Sequence, residues 1–337
     1  MSKSKYLTVE NPYFSTYHYE GVTSIVAATN PSMRNWYMSN VINIRCNTKF
    51  LYYFTTPEVA NYNTRFFENP HFERCAMNLK FFCNVLPQMI KNIIDNNYYI
   101  HISGIDDYYV EGKSNYKEDH FFHDTAITGY NNEKHTIQLY AYDKNWVYQT
   151  FDVPQKSVVR AIKSVIDKNK PSSCYAIKCK PDAVETDYSL MLTNLKDYLN
   201  SNMNIFPPIP ESSASGIVVH NYLAMYMDRL YDGSIPYHRM DRRIFRLIYE
   251  HKKFMLERIK LMEEHYNLSS DFSTAYEPLV KSANLIRTVY AHYNKRQNNE
   301  LLVYIKSLLL DIKQKEYEIL SNIVAIAEEK ENEESNK

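Results

Sequence analysis

A chain of 337 residues is long enough for one large core, or for a domain with an appended helical region. Its 39 basic and 39 acidic side chains cancel, which excludes a chain-wide attraction for nucleic acid or an anionic membrane and leaves only local basic patches open. No stretch approaches the roughly 18 consecutive apolar residues of a membrane span. The opening MSKSKYLTVENPYF has no apolar segment ahead of a small-residue cleavage site, so the expected location is the cytoplasm.

Val22, Ile25 and Val26 stand at helical spacing and are stopped by Asn30-Pro31, which predicts a short buried helix over Tyr17 to Thr29. Val41 to Phe54 is rich in β-branched and aromatic residues and predicts strands. Met77, Phe81, Val85, Met89 and Ile93 recur every fourth residue, predicting a helix over Phe72 to Asn96 with a break near Pro87. Tyr98 to Ile102 follows as a strand. Asp124 to Tyr130 and Thr136 to Tyr142 flank the turn residues Asn131 to Lys134 and predict a β-hairpin, with Trp146 to Phe151 as a third strand. Pro154 opens a helix carrying Val158, Ile162 and Ile166 on one side. Cys174 to Lys178 reads as a strand and Tyr188 to Leu199 as a helix. Phe206 to Gly216, with its prolines and small residues, reads as a loop or linker. Three amphipathic helices follow, striped by Ile244 to Met262, Leu279 to Tyr290 and Leu301 to Ile326. The tail 328–337 is polar and charged enough to predict disorder. The expected division is therefore an α+β domain at 1–205, a connecting segment at 206–240, a helical region at 241–327 and the tail.

The five cysteines, Cys46, Cys75, Cys83, Cys174 and Cys179, form an odd set without a C-x-x-C pair, which predicts reduced thiols. The 31 tyrosines against 6 glycines are explained by codon usage in an A/T-rich genome before any role in ligand stacking. Phosphate-loop, dinucleotide, zincin and nucleophile-elbow motifs are all missing from the sequence. His120 and His123, with Asp119 and Asp124 beside them, offer an incomplete ligand set, and no metal is expected. Arg242, Arg243, Lys252 and Lys253 form a basic run that reads as a solvated helix face or as a dock for an acidic carrier protein.

A papain-type site needs an imidazole that takes a proton from a nucleophile at a helix start, and an acid or amide on a neighbouring strand to fix its tautomer. His123 opens the first strand of the hairpin and Asp143 follows the second, so the pair stands in that setting as base and orienter. The run from His123 through Asp124, Gly129 and Tyr130 resembles the H-x5-G-Y strand of the butirosin biosynthesis protein H-type family. These are papain-fold acyltransferases of nonribosomal peptide and aminoglycoside assembly. The striped helices, including Tyr249 to Lys253, are similar to a helical C-terminal region fused to such domains.

The resemblance implies an α+β, papain-like antiparallel sheet with an N-terminal helix, followed by a helical region. It implies transfer of an acyl or peptidyl group from a carrier-protein thioester to a small amine acceptor through a cysteinyl intermediate. The partners would be an acyl or peptidyl carrier protein and the amine, with no cofactor beyond the carrier's phosphopantetheine. The sequence departs from the pattern where the cysteine belongs, because Ser15 to Ser24 contains none. Ser15, Thr16, Thr23 or Ser24 would have to substitute, or His123 would act as base for direct amine attack. The alternative is a non-catalytic papain-fold binding or scaffold protein that has lost its nucleophile.

Overall fold

In chain order the strands and helices begin with β1 (Ser4–Tyr6), α1 (His18–Ala28), α2 (Met33–Asn40), β2 (Asn43–Asn47) and β3 (Thr55–Glu58). β4 (Phe72–Met77), α3 (Leu86–Asp95), β5 (Tyr99–Asp106), β6 (Phe122–Asn131), β7 (Thr136–Tyr142) and β8 (Tyr148–Pro154) come next. α4 (Gln155–Asp167), β9 (Cys174–Cys179), α5 (Tyr188–Leu199), β10 (Ser213–Ser215) and α6 (Val219–Tyr231) lead to the long helices α7 (Ile244–His265), α8 (Phe272–Arg296) and α9 (Glu300–Ser335). The computed structural model describes residues 3–50, 55–58, 69–170, 173–202, 212–241, 243–269 and 271–335. The chain divides into two units, Met1–Met33 with Phe66–Ala183, and Arg34–Arg65 with Val184–Lys337.

The first unit is built on an antiparallel sheet of order β4-β9-β5-β6-β7-β8, with β1 added to β6. Strand alternation sends Ile100 and Ile102 of β5 to one face, where Leu86 and Ile90 of α3 and Val158 and Ile162 of α4 bury them. Each such aliphatic side chain removed from water contributes about 1.5–3 kcal/mol. His101, between the two isoleucines, turns to the opposite face and is itself buried. The hairpin forms as its alternation predicts, and Gly129 has a specific reason to be glycine. A Cβ there would meet the Lys5 carbonyl oxygen at 2.8 Å, because β1 crosses Gly129 backbone to backbone. The neighbouring Tyr130 hydroxyl donates to Asp95 at 2.6 Å at the end of α3. The Gly-Tyr pair is thus placed by sheet packing.

The predicted helix over Phe72 to Asn96 is a correction. Its first part is the edge strand β4, paired with β9 from Phe72↔Cys179 to Met77↔Cys174. Asn78 then caps a short 3-10 turn through its side chain, and α3 starts only where Pro87 sits in the first helical turn. The fourfold apolar spacing misled because Phe81 and Val85 face solvent, at 83% and 51% exposure.

In the second unit β10, β2 and β3 form a small antiparallel sheet. The segment 34–65 therefore belongs with the helices, unlike the expected boundary at 205. The region expected to connect, 206–240, holds β10 and α6, whose Val219, Leu223, Met227 and Leu230 form a buried stripe; 203–211 lie outside the described residues, as do 51–54. The tail is corrected as well, since α9 continues to Ser335. Its charges find partners: Tyr266 donates to Glu331 at 2.7 Å, and Lys330 to the Asn267 carbonyl at 3.0 Å.

The centre of this unit is ionic. Lys252 Nζ lies 2.7 and 2.6 Å from the two carboxylate oxygens of Glu316, both residues being wholly buried. The Tyr198 hydroxyl donates to Glu316 at 2.7 Å, and Tyr276 donates to its other oxygen. Burial alone would raise the Glu316 carboxyl, but the charge and hydrogen bonds of Lys252 hold it down to about 2. Lys252 is therefore no part of a solvated basic face, which overturns that reading for it; Arg242 lies outside the described residues.

Candidate functional site

The start of α1 faces an irregularity in the sheet. The β5–β6 register runs Ile102↔Thr125 and then Ile105↔His123, so Ser103 and Gly104 oppose Asp124 alone, a β-bulge that loosens the ladder there. The Asp124 carbonyl oxygen lies 2.7 Å from His18 Nδ1, in the first turn of α1, and 3.3 Å from His123 Nδ1. A carbonyl can only accept, so this contact places the His18 proton on Nδ1 and leaves Nε2 as its basic atom. His18 Nε2 is buried and has no hydrogen-bond partner among the described residues.

The His18 and His123 rings meet edge to face with centroids 4.3 Å apart. Tyr142 and Tyr148 close on His18 at 5.1 and 5.2 Å. On β5, His101 Nε2 lies 3.5 Å from the Asp124 carboxylate. Burial first, then the neighbouring His123 and Lys113, hold the His18 imidazole well below the ordinary histidine range, so it is a neutral ring. Lys113 is also buried, which lowers its ammonium, and it stands 3.7 Å from Asp107. Burial pushes the Asp107 carboxyl up to about 6. Lys113 further belongs to the wall of a cleft of about 740 Å³ lined by Gly112, Ser114, Tyr116 and Lys144.

The residues expected from the sequence separate here. His123 is in the cluster. Asp143 is not brought to it: Oδ1 accepts from the Asn145 and Val147 amides at 2.8 and 2.9 Å, and Oδ2 accepts from Gln149 Nε2 at 2.8 Å. Those bonds hold the Asp143 carboxyl below its usual range and make it the organiser of the β7–β8 turn. The acceptor on the His123 Nδ1 side is a main-chain carbonyl, which no side-chain pattern advertises.

The hydroxyls weighed as substitutes for a thiol are engaged elsewhere in two cases. Thr23 Oγ1 donates back to the Tyr19 and Glu20 carbonyls at 3.0 and 3.1 Å, and Ser24 Oγ accepts from the Phe14 amide at 3.2 Å. Ser15 and Thr16 are buried just ahead of α1. The thiols also lie elsewhere: Cys75 is exposed on β4, Cys83 follows the 3-10 turn, and burial raises Cys174 to about 12 and Cys179 to about 11 on β9. Cys46, on β2 in the other unit, is pushed by burial to about 12.

His120 and His123 do not share a ligand site. His120 Nδ1 lies 2.8 Å from Asp106, a separate pairing. No group of three or more His, Cys, Asp or Glu that could hold a metal ion occurs among the described residues. No helix of the described residues is long and apolar enough to cross a membrane. Compared with known proteins, the chain matches no protein-family model and no curated sequence.

Proposed function

We propose that this is a papain-like-fold protein that promotes acyl or peptidyl transfer from a carrier-bound thioester to an amine, without a cysteinyl intermediate. The observation that carries the reading is the pair of imidazoles gathered on the Asp124 carbonyl at the start of α1, with the thiols elsewhere. Such a pair supplies a base but no activated sulfur. In the proposed step, His123 Nε2 takes a proton from the amine as its nitrogen attacks the thioester carbonyl. The carbon–sulfur bond then breaks, and the proton passes to the leaving thiolate, giving amide and thiol. His18 supports the base by holding its neutral ring against it.

A second reading has its own support. The basic Nε2 of His18 is buried, and Asp143 serves its turn, as expected of a pocket that holds a peptide, product or carrier protein without turnover. One experiment separates the two. The protein is incubated with an acyl-pantetheine thioester and a primary amine, then followed by intact mass and by product analysis. Amide formation with no mass added to the protein supports direct transfer. An acyl adduct on the protein overturns the non-covalent step, and saturable thioester binding with no amide leaves the binding reading.

A further inference from the structure

On the face of the sheet away from α1, the end of β5 carries a second histidine–carboxylate pair. Asp106 is wholly buried, and its Oδ2 accepts from Ser164 Oγ of α4 at 2.6 Å and pairs with His120 Nδ1 at 2.8 Å. Lys168 Nζ approaches the same oxygen at 3.5 Å. Burial alone would raise the Asp106 carboxyl, but Ser164, His120 and the Tyr108 amide hold it below its usual range. Asp106 is therefore a buried anion answered by Ser164 from within and by His120 and Lys168 from the surface, and Lys156, Arg160 and Lys163 on the outer side of α4 stay outside that network.

That surface borders a cleft of about 620 Å³. Lys156, Arg160, Lys163 and Lys168 line it, against the single exposed carboxylate of Asp167. Lys156, Arg160 and Lys163 fall at i, i+4 and i+7 of α4, so helical geometry alone puts them on one stripe. None of these three forms an ion pair among the described residues. Arg160 is also fixed in direction, because its guanidinium lies over the Tyr109 ring at 4.5 Å from the centroid. Ser164 lines the same cleft while its hydroxyl hydrogen points to Asp106, so its oxygen position is set by the buried pair.

We infer that this cleft on α4 is a binding site for a phosphate ester, with Arg160 as the forked donor and Lys156, Lys163 and Lys168 as the surrounding charges. A planar guanidinium with several ammonium groups matches a tetrahedral dianion better than it matches a carboxylate or a neutral sugar. The site is independent of the imidazole cluster at α1, so either can fail alone.

The test is calorimetric titration of the whole chain with inorganic phosphate, phenyl phosphate and phenol in chloride buffer. Saturable binding of phenyl phosphate competed by inorganic phosphate, with none of phenol, is expected. Inorganic phosphate binding as tightly as the ester would mark free phosphate as the ligand and overturn the ester. Arg160→Ala with Lys163→Ala should weaken phenyl phosphate by roughly tenfold or more, and Arg160→Lys should weaken it less. Both positions are solvent-exposed, and unchanged thermal melts confirm the fold of each variant. Lys281→Ala, on α8, should bind as the parent does. Absence of saturable binding, unchanged affinity in the double variant, or equal loss in Lys281→Ala would overturn the site.

Discussion

His18 Nδ1 and the Asp124 carbonyl oxygen are joined at 2.7 Å across the gap between a helix start and a bulged strand. That one bond fixes the tautomer of His18, and it exists because Ser103 and Gly104 crowd opposite a single residue of β6. A regular ladder would direct that carbonyl toward a strand amide. The irregularity thus converts a structural acceptor into the orienter of an imidazole, the task that Asp143 was expected to perform.

The roles of Asp143 and His123 should therefore come apart on mutation. His123→Ala should lower thioester aminolysis by roughly 10²–10⁴-fold if the imidazole acts as base. Asp143→Ala should leave the rate within about threefold while costing about 1 kcal/mol of stability through the lost turn bonds. Steady-state rates with urea unfolding of both variants check this. An inactive, fully folded Asp143→Ala protein would restore the strand-end carboxylate to the site.

Thiol modification offers an independent check. Cys75 is exposed and should alkylate readily with iodoacetamide, whereas burial keeps Cys174 and Cys46 protonated up to about 12 and slow to react. Activity should survive complete labelling of Cys75, as read by peptide mass mapping alongside turnover. Loss in step with labelling of any one cysteine would mean that sulfur participates.

Much of this architecture was legible in the sequence. The hairpin, α1, α4, α5 and the three long helices declare themselves because their apolar residues follow one period throughout. β4 did not, since an edge strand with four exposed residues in succession has no inward alternation to read. α6 carried a usable stripe from Val219 to Leu230 that the proline-rich segment upstream obscured. At the site, His123 was found by its position before a strand. His101 and Lys113 were missed because single polar residues far apart along the chain meet only through the bulge, and His18, a polar residue in a first helical turn, reads equally as a cap or as a pocket group because the acceptor it shares with His123 is backbone.

The buried pair in the helical unit should respond as a unit. Lys252→Met leaves the Glu316 carboxylate without its cation in a dry interior, and a loss of roughly 3–5 kcal/mol is expected. Glu316→Gln strands Lys252 in the same way and also removes the charged acceptor of Tyr198 and Tyr276. The double variant Lys252→Met with Glu316→Leu should recover a large part of either loss. Chemical denaturation of the three proteins measures the coupling, and simple additivity of the single losses would contradict it.

Acid should destabilise the chain well before ordinary carboxylates titrate. Burial holds His220 at about 3 and His251 well below its usual range, so the folded state keeps both neutral where the unfolded chain protonates. Stability then falls as pH drops below about 6.5, by up to ~1.4 kcal/mol per pH unit for each imidazole. Glu316 adds a further loss as pH falls from 4.5 toward about 2. Asp107 has the opposite sign: its carboxyl is raised to about 6, so its ionisation removes stability as pH rises through that value. Urea midpoints across this range should show the descent, and His220→Gln should make it shallower.

Gly21 gives the sharpest steric test of the site. In the interior of an ordinary helix, replacing glycine by alanine stabilises by about 1 kcal/mol. Here a Cβ would stand 2.5 Å from the Tyr148 hydroxyl oxygen, and that tyrosine also packs on the His18 ring and donates to the His18 carbonyl at 3.3 Å. Gly21→Ala should therefore destabilise by roughly 1–3 kcal/mol, reversing the usual sign, because the ring has to leave its place against His18. Adding Tyr148→Ala should relieve the clash and let the helix preference reappear, so that Gly21→Ala becomes neutral or stabilising in that background. A thermodynamic cycle over the four proteins isolates the contact, and a coupling near zero would mean that α1 and β8 do not meet as described.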